Sequence, residues 1–558
     1  MSDNNNQKAF DKFRNSGHDI SIAAFTRRRF LQAGIVGLAI PILGMPISPY
    51  LNVSDPNTNQ RDFSVCLTPD TILDNPGLLK IIASAGVNRV WLATFCYGYW
   101  PWSIDDIKKA HHKILSSGLM SSSLTLSLGH PGDALGAKDD KKFQLTPPLH
   151  WPRSVDIDGD IYSGTNVSAV ATKENSYALK SLRDIGFQKC ILDDDFRLAR
   201  GPGLIGGNYD ILSQNAFIKM GGYAATKWEQ LLDDVRNRRL SSLLRSWVNW
   251  QCDQLTESFR IQQKAFDADL GLMVMYLGAE KAGIRLADYK DVSMRVGEFY
   301  FSDESLSSPK GWTDELFSVL FHRRFVSADR AWSETTSFPA NAVSTANMAA
   351  KLVVSTIADV RHTTFMSGFS PLPEKYWAIL TPAIANQKKL HQAIAGHRPR
   401  GPFKHFWGEA SRFAGQDKPF SLWLSLGVPF EVITDLNSGN NGWVFLSNED
   451  CGEVANNDRL SRLIARPDAI SKTEVVIQRE HEDLSALWKW RQSIIKEIQD
   501  LDVPYVVEES PCICAWYPSA GCVIIWNLSN ETRKLTLNYK SIVRTESFLA
   551  LEAIKVMI

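Results

Sequence analysis

The amino-acid sequence predicts an α/β protein: a (β/α)8 TIM barrel followed by a smaller α/β domain and a small C-terminal antiparallel β domain. The chain has 558 residues, which is more than one hydrophobic core usually serves. From about residue 60 onward, short apolar runs alternate with helical patterns, as in the βα units of a parallel sheet. Residues 501–558 contain strand patterns only, so the expected domain limits are 60–372, 373–500 and 501–558.

Residues 1–50 are predicted to hold a disordered start and an export signal. Arg27, Arg28 and Arg29 precede an apolar stretch at 33–44 that glycines and a proline interrupt. This pattern resembles a twin-arginine signal, and the stretch is shorter than the about 20 residues that span a bilayer. An ordinary N-terminal helix is the alternative. We expect the machinery that exports folded proteins to carry the chain to the periplasm or cell exterior, anchored to the membrane if the signal stays uncleaved.

Eight apolar runs are the candidate barrel strands. They are Phe63–Leu67, Arg89–Phe95, Ser122–Leu128, Cys190–Asp193, Leu270–Tyr276, Val292–Phe299, Phe325–Trp332 and Thr363–Met366. Helical patterns at Ile104–Ser117 and Glu174–Ile185 lie between them, the first with two acidic residues in its first turn and the second ending before a glycine.

The remaining elements belong to the two smaller domains. A helical pattern at Glu374–Ala395 precedes apolar runs that suggest the second α/β layer, at Phe420–Leu426, Phe430–Thr434 and Trp443–Ser447. The predicted C-terminal strands are Tyr505–Glu508, Ile513–Tyr517, Cys522–Asn527, Lys534–Tyr539 and Ile542–Phe548.

Composition excludes several classes of partner. With 61 basic and 61 acidic side chains the formal net charge is zero, which implies neither nucleic acid nor an anionic membrane surface. No Walker-type phosphate loop is present, and we expect no cofactor. The 17 Trp, 14 Tyr and 27 Phe residues could stack against sugar rings or simply fill a core.

The eight cysteines form no Cys-x-x-Cys pairs, so we predict no structural metal site. Cys514 and Cys522 flank a turn and could face each other across a hairpin. Reduced, buried thiols are the alternative, which export of an already folded chain favours.

Two acidic segments follow predicted strands four and seven. Asp193, Asp194 and Asp195 end the fourth strand, and Glu334 follows the seventh. Cleavage of a glycosidic bond needs one carboxylic acid to protonate the leaving oxygen and one carboxylate on the opposite face of the sugar. A barrel keeps its catalytic groups where its strands end, so these acids are the candidates. The alternative for the three aspartates is a helix cap or an ion-pair cluster with nearby arginines.

Five further residues could line the barrel mouth. Tyr97 and Trp100 follow strand two, as a stacking wall or as packed anchors of the loop. His130 follows strand three in a turn-rich loop, where a site histidine and a merely structural one are both consistent with the pattern. Arg295 and Glu298 lie in strand six, where an inward-facing arginine should pair with a carboxylate.

Short segments resemble family-42-type β-galactosidases. Leu192–Phe196, Leu-Asp-Asp-Asp-Phe, resembles their Ile-Asp-Asn-Glu-Tyr segment, and Ser333–Ser337, Ser-Glu-Thr-Thr-Ser, is similar to their nucleophile segment Met-Glu-Gln-Thr-Pro. Gly207–Phe217 has the shape of their Gly-Cys-Tyr-Cys-x-x-Cys-x-x-Ala-Phe segment and likewise precedes a Trp-containing helix, Thr226–Val235. The domain order, with a flavodoxin-like middle domain, also matches in outline over most of residues 60–558.

This resemblance implies that Asp195 is the acid/base and Glu334 the nucleophile, and that Asp194 replaces an asparagine that contacts the sugar 2-hydroxyl. Three departures stand out. Asp195 is one methylene shorter than glutamate, about 1.5 Å. Asp194 adds a second negative charge, which favours the protonated form of one of the pair. Positions of the family's metal-binding cysteines hold Asn208, Asp210 and Ser213 here, so we predict no zinc.

The predicted function is therefore an exported glycoside hydrolase that acts on an oligo- or polysaccharide with retention of configuration. The shorter Asp195 shifts the geometry toward inversion, which needs a wider separation of the two carboxyl groups. One alternative is a non-catalytic carbohydrate-binding or scaffold protein on a retained barrel. Another is a polysaccharide lyase with His130 or Tyr97 as base. The middle domain of the family often mediates trimers, which makes a homo-oligomer plausible.

Overall fold

The structure, a computed structural model, describes residues 61–128, 147–193, 196–275, 277–439, 441–454, 462–472 and 475–558, without the side chains of 162–165 and 438–439. The predicted export signal and three predicted site residues, His130, Asp194 and Asp195, lie outside these ranges. Among the described residues, no helix is long and apolar enough to cross a membrane.

A closed barrel of eight parallel strands confirms the predicted fold class. The strands through the end of the barrel are β1 (Asp62–Leu67), β2 (Arg89–Cys96), β3 (Met120–Leu126), β4 (Arg153–Val155), β5 (Ile161–Thr165), β6 (Lys189–Leu192), β7 (Asp269–Met273), β8 (Met294–Val296), β9 (Ala331–Thr336) and β10 (His362–Met366). All except β4 and β5 belong to the barrel, where each strand pairs with the next and β10 closes on β1. The carboxyl ends of β6, β8 and β9 therefore meet at one mouth.

The lumen of the barrel is filled by large side chains. One buried cluster combines residues from six strands: Cys66, Trp91, Leu124, Ile191, Trp332 and Met366. The Trp91 and Trp332 rings meet edge to face with centroids 5.1 Å apart. The barrel is thus a packed core, and chemistry is confined to its mouth.

The prediction for the seventh strand was wrong. The apolar run Phe325–Trp332 was expected there, but the strand is Ala331–Thr336, so Glu334 lies inside the strand instead of after it. Much of that run follows the preceding helix and includes a 3-10 turn at Ala328–Arg330. The true strand has few aliphatic residues because its polar side chains find partners within the barrel.

Ten helices accompany these strands in the described part of the chain. They are α1 (Pro69–Asp74), α2 (Gly77–Ser84), α3 (Ile104–Ser116), α4 (Ala169–Ile185), α5 (Ile211–Gly221), α6 (Lys227–Arg236), α7 (Ser242–Phe266), α8 (Pro309–His322), α9 (Thr345–Ile357) and α10 (Trp377–Gln392). Both helices predicted between the first strands are confirmed. The second, α4, starts earlier than expected because the Ser168 hydroxyl caps it by accepting the Ala171 N–H.

The polar hairpin β4–β5 was not predicted. Its backbone is fixed by the glycine-containing segment that resembles a metal-binding loop: Asn208 Oδ1 accepts the Val155 N–H at 2.7 Å, and the Tyr209 N–H donates to the Val155 oxygen at 3.0 Å. Asn208 therefore has a clear structural role at a position where the similar family carries cysteine.

The middle of the chain forms a five-stranded parallel sheet in the order β12, β11, β13, β14, β15. Its strands are β11 (Phe403–Phe406), β12 (Phe430–Ile433), β13 (Trp443–Leu446), β14 (Arg462–Ala465) and β15 (Ile477–Arg479), and its helices are α11 (Glu409–Phe413), α12 (Asn448–Cys451) and α13 (Leu484–Asp500). This strand order is that of flavodoxin-like folds, the type of middle domain that the resemblance implies. The run Phe420–Leu426 is not a strand but contains a 3-10 turn at Leu422–Ser425.

The C-terminal part consists of two three-stranded antiparallel sheets. Their strands are β16 (Tyr505–Val506), β17 (Cys512–Tyr517), β18 (Cys522–Asn527), β19 (Arg533–Tyr539), β20 (Ile542–Phe548) and β21 (Ala553–Met557), of which β21 was not predicted. Cys514 pairs with Ile525 and Cys522 with Tyr517, so the two cysteines do not face each other. All eight cysteines are free and buried, as the reduced-thiol alternative expected.

Helix α8 is enclosed by all three parts of the chain. Every residue from Gly311 to His322 is buried. The Phe317 ring lies 5.4 Å from that of Trp407, which follows β11, and the Trp312 ring lies 5.4 Å from that of Trp526 in β18. One hydrophobic core therefore runs from the barrel through the middle sheet to the C-terminal sheets.

By compactness, residues 211–228 form a separate unit from the other described residues. In that unit, α5 is followed by a turn in which the Tyr223 N–H donates to the Ile218 oxygen at 3.0 Å. The Phe217 and Tyr223 rings pack with centroids 5.4 Å apart. The Trp-containing helix predicted at Thr226–Val235 is confirmed as α6, displaced by one residue.

Candidate active site

Arg295 joins the two acidic strand ends across the barrel mouth. It lies in β8, and its Nη2 donates to Asp193 Oδ1 at 2.5 Å and lies 3.1 Å from Glu334 Oε2. Asp193 directly follows β6, and Glu334 lies in β9. The expected pairing of an inward-facing arginine with a carboxylate is therefore present, and it involves two carboxylates instead of one.

The two carboxylates are close together. Because both contact the same nitrogen, the distance between Asp193 Oδ1 and Glu334 Oε2 cannot exceed the sum of the two contacts, 5.6 Å. Carboxyl groups about 5 to 5.5 Å apart are typical of retaining glycosidases, and about 6.5 to 9.5 Å of inverting ones. The ends of β6 and β9 thus lie close together at the mouth, held by one cation.

The side chains of Arg295, Asp193 and Glu334 are all buried. The Arg295 side chain is fully buried, whereas those of Asp193 and Glu334 keep 6% and 4% of their surface exposed. A guanidinium at this distance stabilises the anionic form of a carboxyl group. One buried cation therefore holds two buried carboxylates at the end of the barrel.

The Glu334 carboxylate has a second support from its own strand. The Thr336 hydroxyl donates to Glu334 Oε1 at 2.6 Å. Residues two apart on a strand point to the same side, so this contact follows directly from the β conformation. Both carboxylate oxygens of Glu334 are thus located, one by a hydroxyl and one by a cation.

Cys66 lies below these charges in β1. Burial raises the pKa of its thiol, and the negative charges of Asp193 and Glu334 add to the effect while Arg295 opposes it. Cys66 is therefore an unreactive thiol that packs in the barrel lumen.

Glu298 does not reach the mouth. Its side chain is 1% exposed and pairs with Lys351 of α9, which also lies 3.2 Å from Glu315 of α8. Glu298 Oε1 accepts the Thr336 N–H at 2.9 Å. Burial raises the pKa of Glu298 to about 8, and the carboxylates of Glu315 and Glu334 add to this while Lys351 opposes it. Glu298 therefore contacts the strand of Glu334 from within the protein.

The loop after β2 has one side chain buried and others partly open. Tyr97 is fully buried, has a left-handed φ of +28°, and donates its N–H to the Leu126 oxygen at 2.6 Å. Trp100 is half-buried and meets the Phe95 ring edge to face with centroids 5.1 Å apart. Tyr97 thus packs as an anchor of the loop, and Trp100 and Tyr99 are the partly exposed aromatic side chains of this loop.

Several site neighbours were missed by the sequence interpretation. Thr336 was part of the quoted motif, but its contact with Glu334 depends on the true position of β9. Lys351 lies within the apolar helix α9, and a buried lysine requires an anionic partner, so the sequence did indicate a buried ion pair there. The partners of Lys351 lie 53 and 36 residues away in the chain, so their identity was not readable from spacing.

A glycine-rich segment precedes α5. Gly201, Gly203 and Gly206 have the spacing of a dinucleotide-binding loop, but no helix begins directly after them. A Cβ on Gly203 would lie 2.6 Å from the Gln416 oxygen, and one on Gly206 2.5 Å from the Leu198 oxygen. Close backbone packing explains Gly203 and Gly206, whereas a Cβ on Gly201 would meet only the Leu204 side chain at 3.7 Å.

Within the described ranges, no group of three or more His, Cys, Asp or Glu side chains could hold a metal ion. The chemistry that the described residues offer is that of two carboxyl groups at a barrel mouth, both paired with one arginine.

No family model and no curated protein matches the sequence. Solved structures do match its fold. A cold-adapted β-galactosidase from Rahnella sp. R3 aligns with 10% identity and a TM-score of 0.57, over 89% of this chain and 98% of that one. A GH42 β-galactosidase from G. stearothermophilus aligns with 10% identity and a TM-score of 0.57, over 90% and 98%, and its catalytic mutant with a TM-score of 0.56.

The predicted resemblance to family-42 β-galactosidases is thereby confirmed as a likeness of fold. It extends over the barrel and the additional sheets, since about nine-tenths of the chain aligns. The chain has a glycoside-hydrolase-like fold whose barrel mouth carries paired carboxylates.

Proposed function

We propose that this protein is a retaining glycoside hydrolase in which Glu334 is the nucleophile and Asp195 the acid/base. One observation carries the proposal: Arg295 brings the end of β6 and the Glu334 carboxylate together, with Asp193 Oδ1 and Glu334 Oε2 at most 5.6 Å apart. Asp195 follows Asp193 by two residues, so the acidic segment that contains it begins beside Glu334.

The proposed roles of Asp193 and Glu334 follow from their ion pairs with Arg295. Asp193 is held as an anion by Arg295 and is unsuited to donate a proton. Glu334 is likewise anionic, as a nucleophile must be. The proton that the leaving oxygen needs therefore comes from a third acid, for which we propose Asp195, with Asp194 contacting the sugar.

The reaction proceeds in two steps. A Glu334 carboxylate oxygen bonds to the anomeric carbon while the bond from that carbon to the leaving oxygen breaks, and the leaving oxygen takes the Asp195 proton. Water then attacks the anomeric carbon, gives its proton to Asp195 and displaces Glu334. Two displacements at one carbon restore its configuration.

The test is turnover of a panel of aryl glycosides, with the anomeric configuration of the first product followed by NMR. Asp195→Asn and Glu334→Gln should each lower kcat at least about 10²-fold. The matched controls Asp291→Asn and Glu531→Gln, which change exposed carboxylates, should retain full activity. An inverted first product, or undiminished turnover by Glu334→Gln, contradicts the proposal.

A second function is favoured by the burial of the acids. Glu334 is only 8% exposed, and its carboxylate is engaged by Arg295 and Thr336. A carboxylate whose two oxygens are already engaged has less freedom to attack a sugar, so carbohydrate binding without cleavage is the second function. Sugar binding by the wild type without turnover of any glycoside in the panel would establish this second function.

We also propose that the chain is exported by the twin-arginine route to act on a carbohydrate outside the cytoplasm. The support is the sequence pattern around Arg27 and Arg28. Replacing both with lysine should leave the protein in the cytoplasm, as fractionation of cells would show. Export of that variant at the wild-type level contradicts this part of the proposal.

A further inference from the structure

The carboxylate of Glu298 and that of Glu334 contact the same residue from different sides. Glu298 Oε1 accepts the Thr336 N–H at 2.9 Å, and the Thr336 hydroxyl donates to Glu334 Oε1 at 2.6 Å. Thr336 is the last residue of β9, where the ladder of the barrel ends. The position of its hydroxyl therefore depends on what holds its backbone.

Glu298 is itself held from two directions. Lys351 of α9 donates to Glu298 Oε1, to the Tyr300 oxygen at 2.6 Å and to Glu315 Oε1 at 3.2 Å. Glu315 in turn accepts the Phe299 and Tyr300 N–H groups at 3.2 and 2.8 Å. This network, defined as Glu298, Glu315 and Lys351, thus fixes the segment after β8 and the end of β9 to one buried ammonium.

Glu298 cannot act on a substrate directly. Its residue surface is 1% exposed, and Lys351 and Glu315 beside it are 4% and 2% exposed. Burial raises the pKa of Glu298, and the Lys351 ammonium opposes this rise. Its Oε1 accepts from both Thr336 and Lys351.

We infer that Glu298 is a positioning residue for Glu334: by accepting the Thr336 N–H it places the Thr336 hydroxyl where that hydroxyl orients the Glu334 carboxylate. This inference rests on the proposed function for its effect on catalysis, but the positioning itself is a property of the fold. The sequence suggested that Glu298 contacts the substrate. In the structure it contacts Thr336, which in turn contacts Glu334.

Glu315 provides a matched control. It is as buried as Glu298 and pairs with the same lysine, but its backbone partners are Phe299 and Tyr300 and not Thr336. A general loss of stability from breaking the network should therefore appear in variants of both residues. An effect on Glu334 should appear only in variants of Glu298.

The kinetic test compares Glu298→Ala, Glu298→Gln and Glu315→Ala on the best aryl glycoside. Glu298→Ala should lower kcat about 10- to 100-fold, because a displaced reacting group costs about that much, while KM stays within about twofold. Glu298→Gln keeps a carbonyl acceptor for the Thr336 N–H and should restore most of kcat. Glu315→Ala should keep the wild-type kcat at temperatures where it is folded.

Variants of Thr336 test the same contact between its hydroxyl and Glu334, also if Glu298→Ala does not fold. Thr336→Val removes the hydroxyl and should lower kcat like Glu298→Ala, whereas Thr336→Ser should retain it. Because both residues act through one hydroxyl, the loss in a Glu298→Ala/Thr336→Val double variant that folds should not exceed that in Thr336→Val alone. Equal kcat in the Val and Ser variants overturns the inference.

Crystal structures of the variants separate this inference from the proposed function. In Glu298→Ala the Glu334 carboxylate should move away from Thr336, and in Glu298→Gln it should keep its place. In Glu315→Ala it should stay. A Glu334 carboxylate that keeps its 2.6 Å contact in Glu298→Ala overturns the positioning role, whether or not the wild type cleaves glycosides. Absence of wild-type turnover alone rejects only the proposed function.

Discussion

Arg295 Nη2 lies 3.1 Å from Glu334 Oε2, and the same nitrogen donates to Asp193 at 2.5 Å. One buried cation thus serves two carboxylates from strands that are not neighbours in the barrel. Its removal would leave two negative charges close together without their cation, which is among the most destabilising changes a protein core can undergo.

We predict that Arg295→Met lowers the free energy of unfolding by about 3–5 kcal/mol, because it leaves buried carboxylates without their counter-charge. Urea unfolding followed by circular dichroism measures the change. Arg533→Met is the control, since Arg533 pairs with Glu531 on the surface and should contribute less than about 1 kcal/mol. A loss below 1 kcal/mol for Arg295→Met would show that the carboxylates find other partners.

A second buried ion pair should behave as a coupled unit. Lys281 Nζ lies 2.5 Å from Asp417 Oδ1, with side chains 1% and 4% exposed, and connects a barrel loop to the middle of the chain. Lys281→Met should cost about 3–5 kcal/mol, because it removes the cation beside the buried Asp417 carboxyl group. Lys281→Met/Asp417→Asn should recover part of this loss, and urea unfolding of the three variants gives the coupling. Strict additivity of the single losses would contradict it.

Acid should destabilise the protein through His405. This ring is buried, its Nδ1 donates to the Phe406 oxygen at 2.9 Å, and its Nε2 accepts the Phe420 N–H at 2.9 Å. Burial lowers the pKa of His405 to about 3. The unfolded chain takes up this proton below about pH 6.5, so stability falls by roughly 1.4 kcal/mol per pH unit from there down to about pH 3.

The His405→Gln variant isolates this effect. Its free energy of unfolding, measured between pH 7.5 and 4.5, should depend on pH less steeply than that of the wild type, by about one bound proton. His112 is exposed, so His112→Gln should leave the slope unchanged. Parallel curves for His405→Gln and wild type would mean that the ring is already protonated in the folded state.

Gly207→Ala should destabilise the protein more than Gly118→Ala. Gly207 has φ +130°, and an added Cβ would lie 2.6 Å from Trp247 Cζ2. Gly118 also has a positive φ, +81°, but no atom lies within 4 Å of an added Cβ. Gly118→Ala should cost about 1 kcal/mol from backbone strain, and Gly207→Ala about 1–3 kcal/mol more from the clash. Thermal unfolding compares them, and equal losses would show that Trp247 moves aside.

The sequence located seven of the eight barrel strands closely because aliphatic runs mark buried parallel strands. The strand with Glu334 escaped this rule. Its residues, Ala-Trp-Ser-Glu-Thr-Thr, pair their hydroxyls and carboxylate with Thr363, Arg295 and each other, so polarity there reflects internal partners and not exposure. The hairpin β4–β5 was missed for a related reason, since it has no apolar run.

The candidate site was predictable where chemistry alone decides. An inward-facing arginine in a barrel requires a carboxylate, which is why the pairing of Arg295 could be predicted. The role of Glu298 could not be predicted, because it depends on its contacts with Lys351 of α9 and with the Thr336 N–H of β9. Spacing in the chain carries no information on such contacts until the register of the barrel is known.

Helix α8 has one further consequence. An outer helix of a barrel normally presents a polar face to water, but α8 is buried on every side by residues from the middle sheet and the C-terminal sheets. The barrel therefore depends on the middle and C-terminal sheets to cover its own apolar surface. Recombination that transplants residues 60–372 alone would expose Trp312 and Phe317, so the region with Asp193 and Glu334 can be inherited or engineered only together with the chain that follows it.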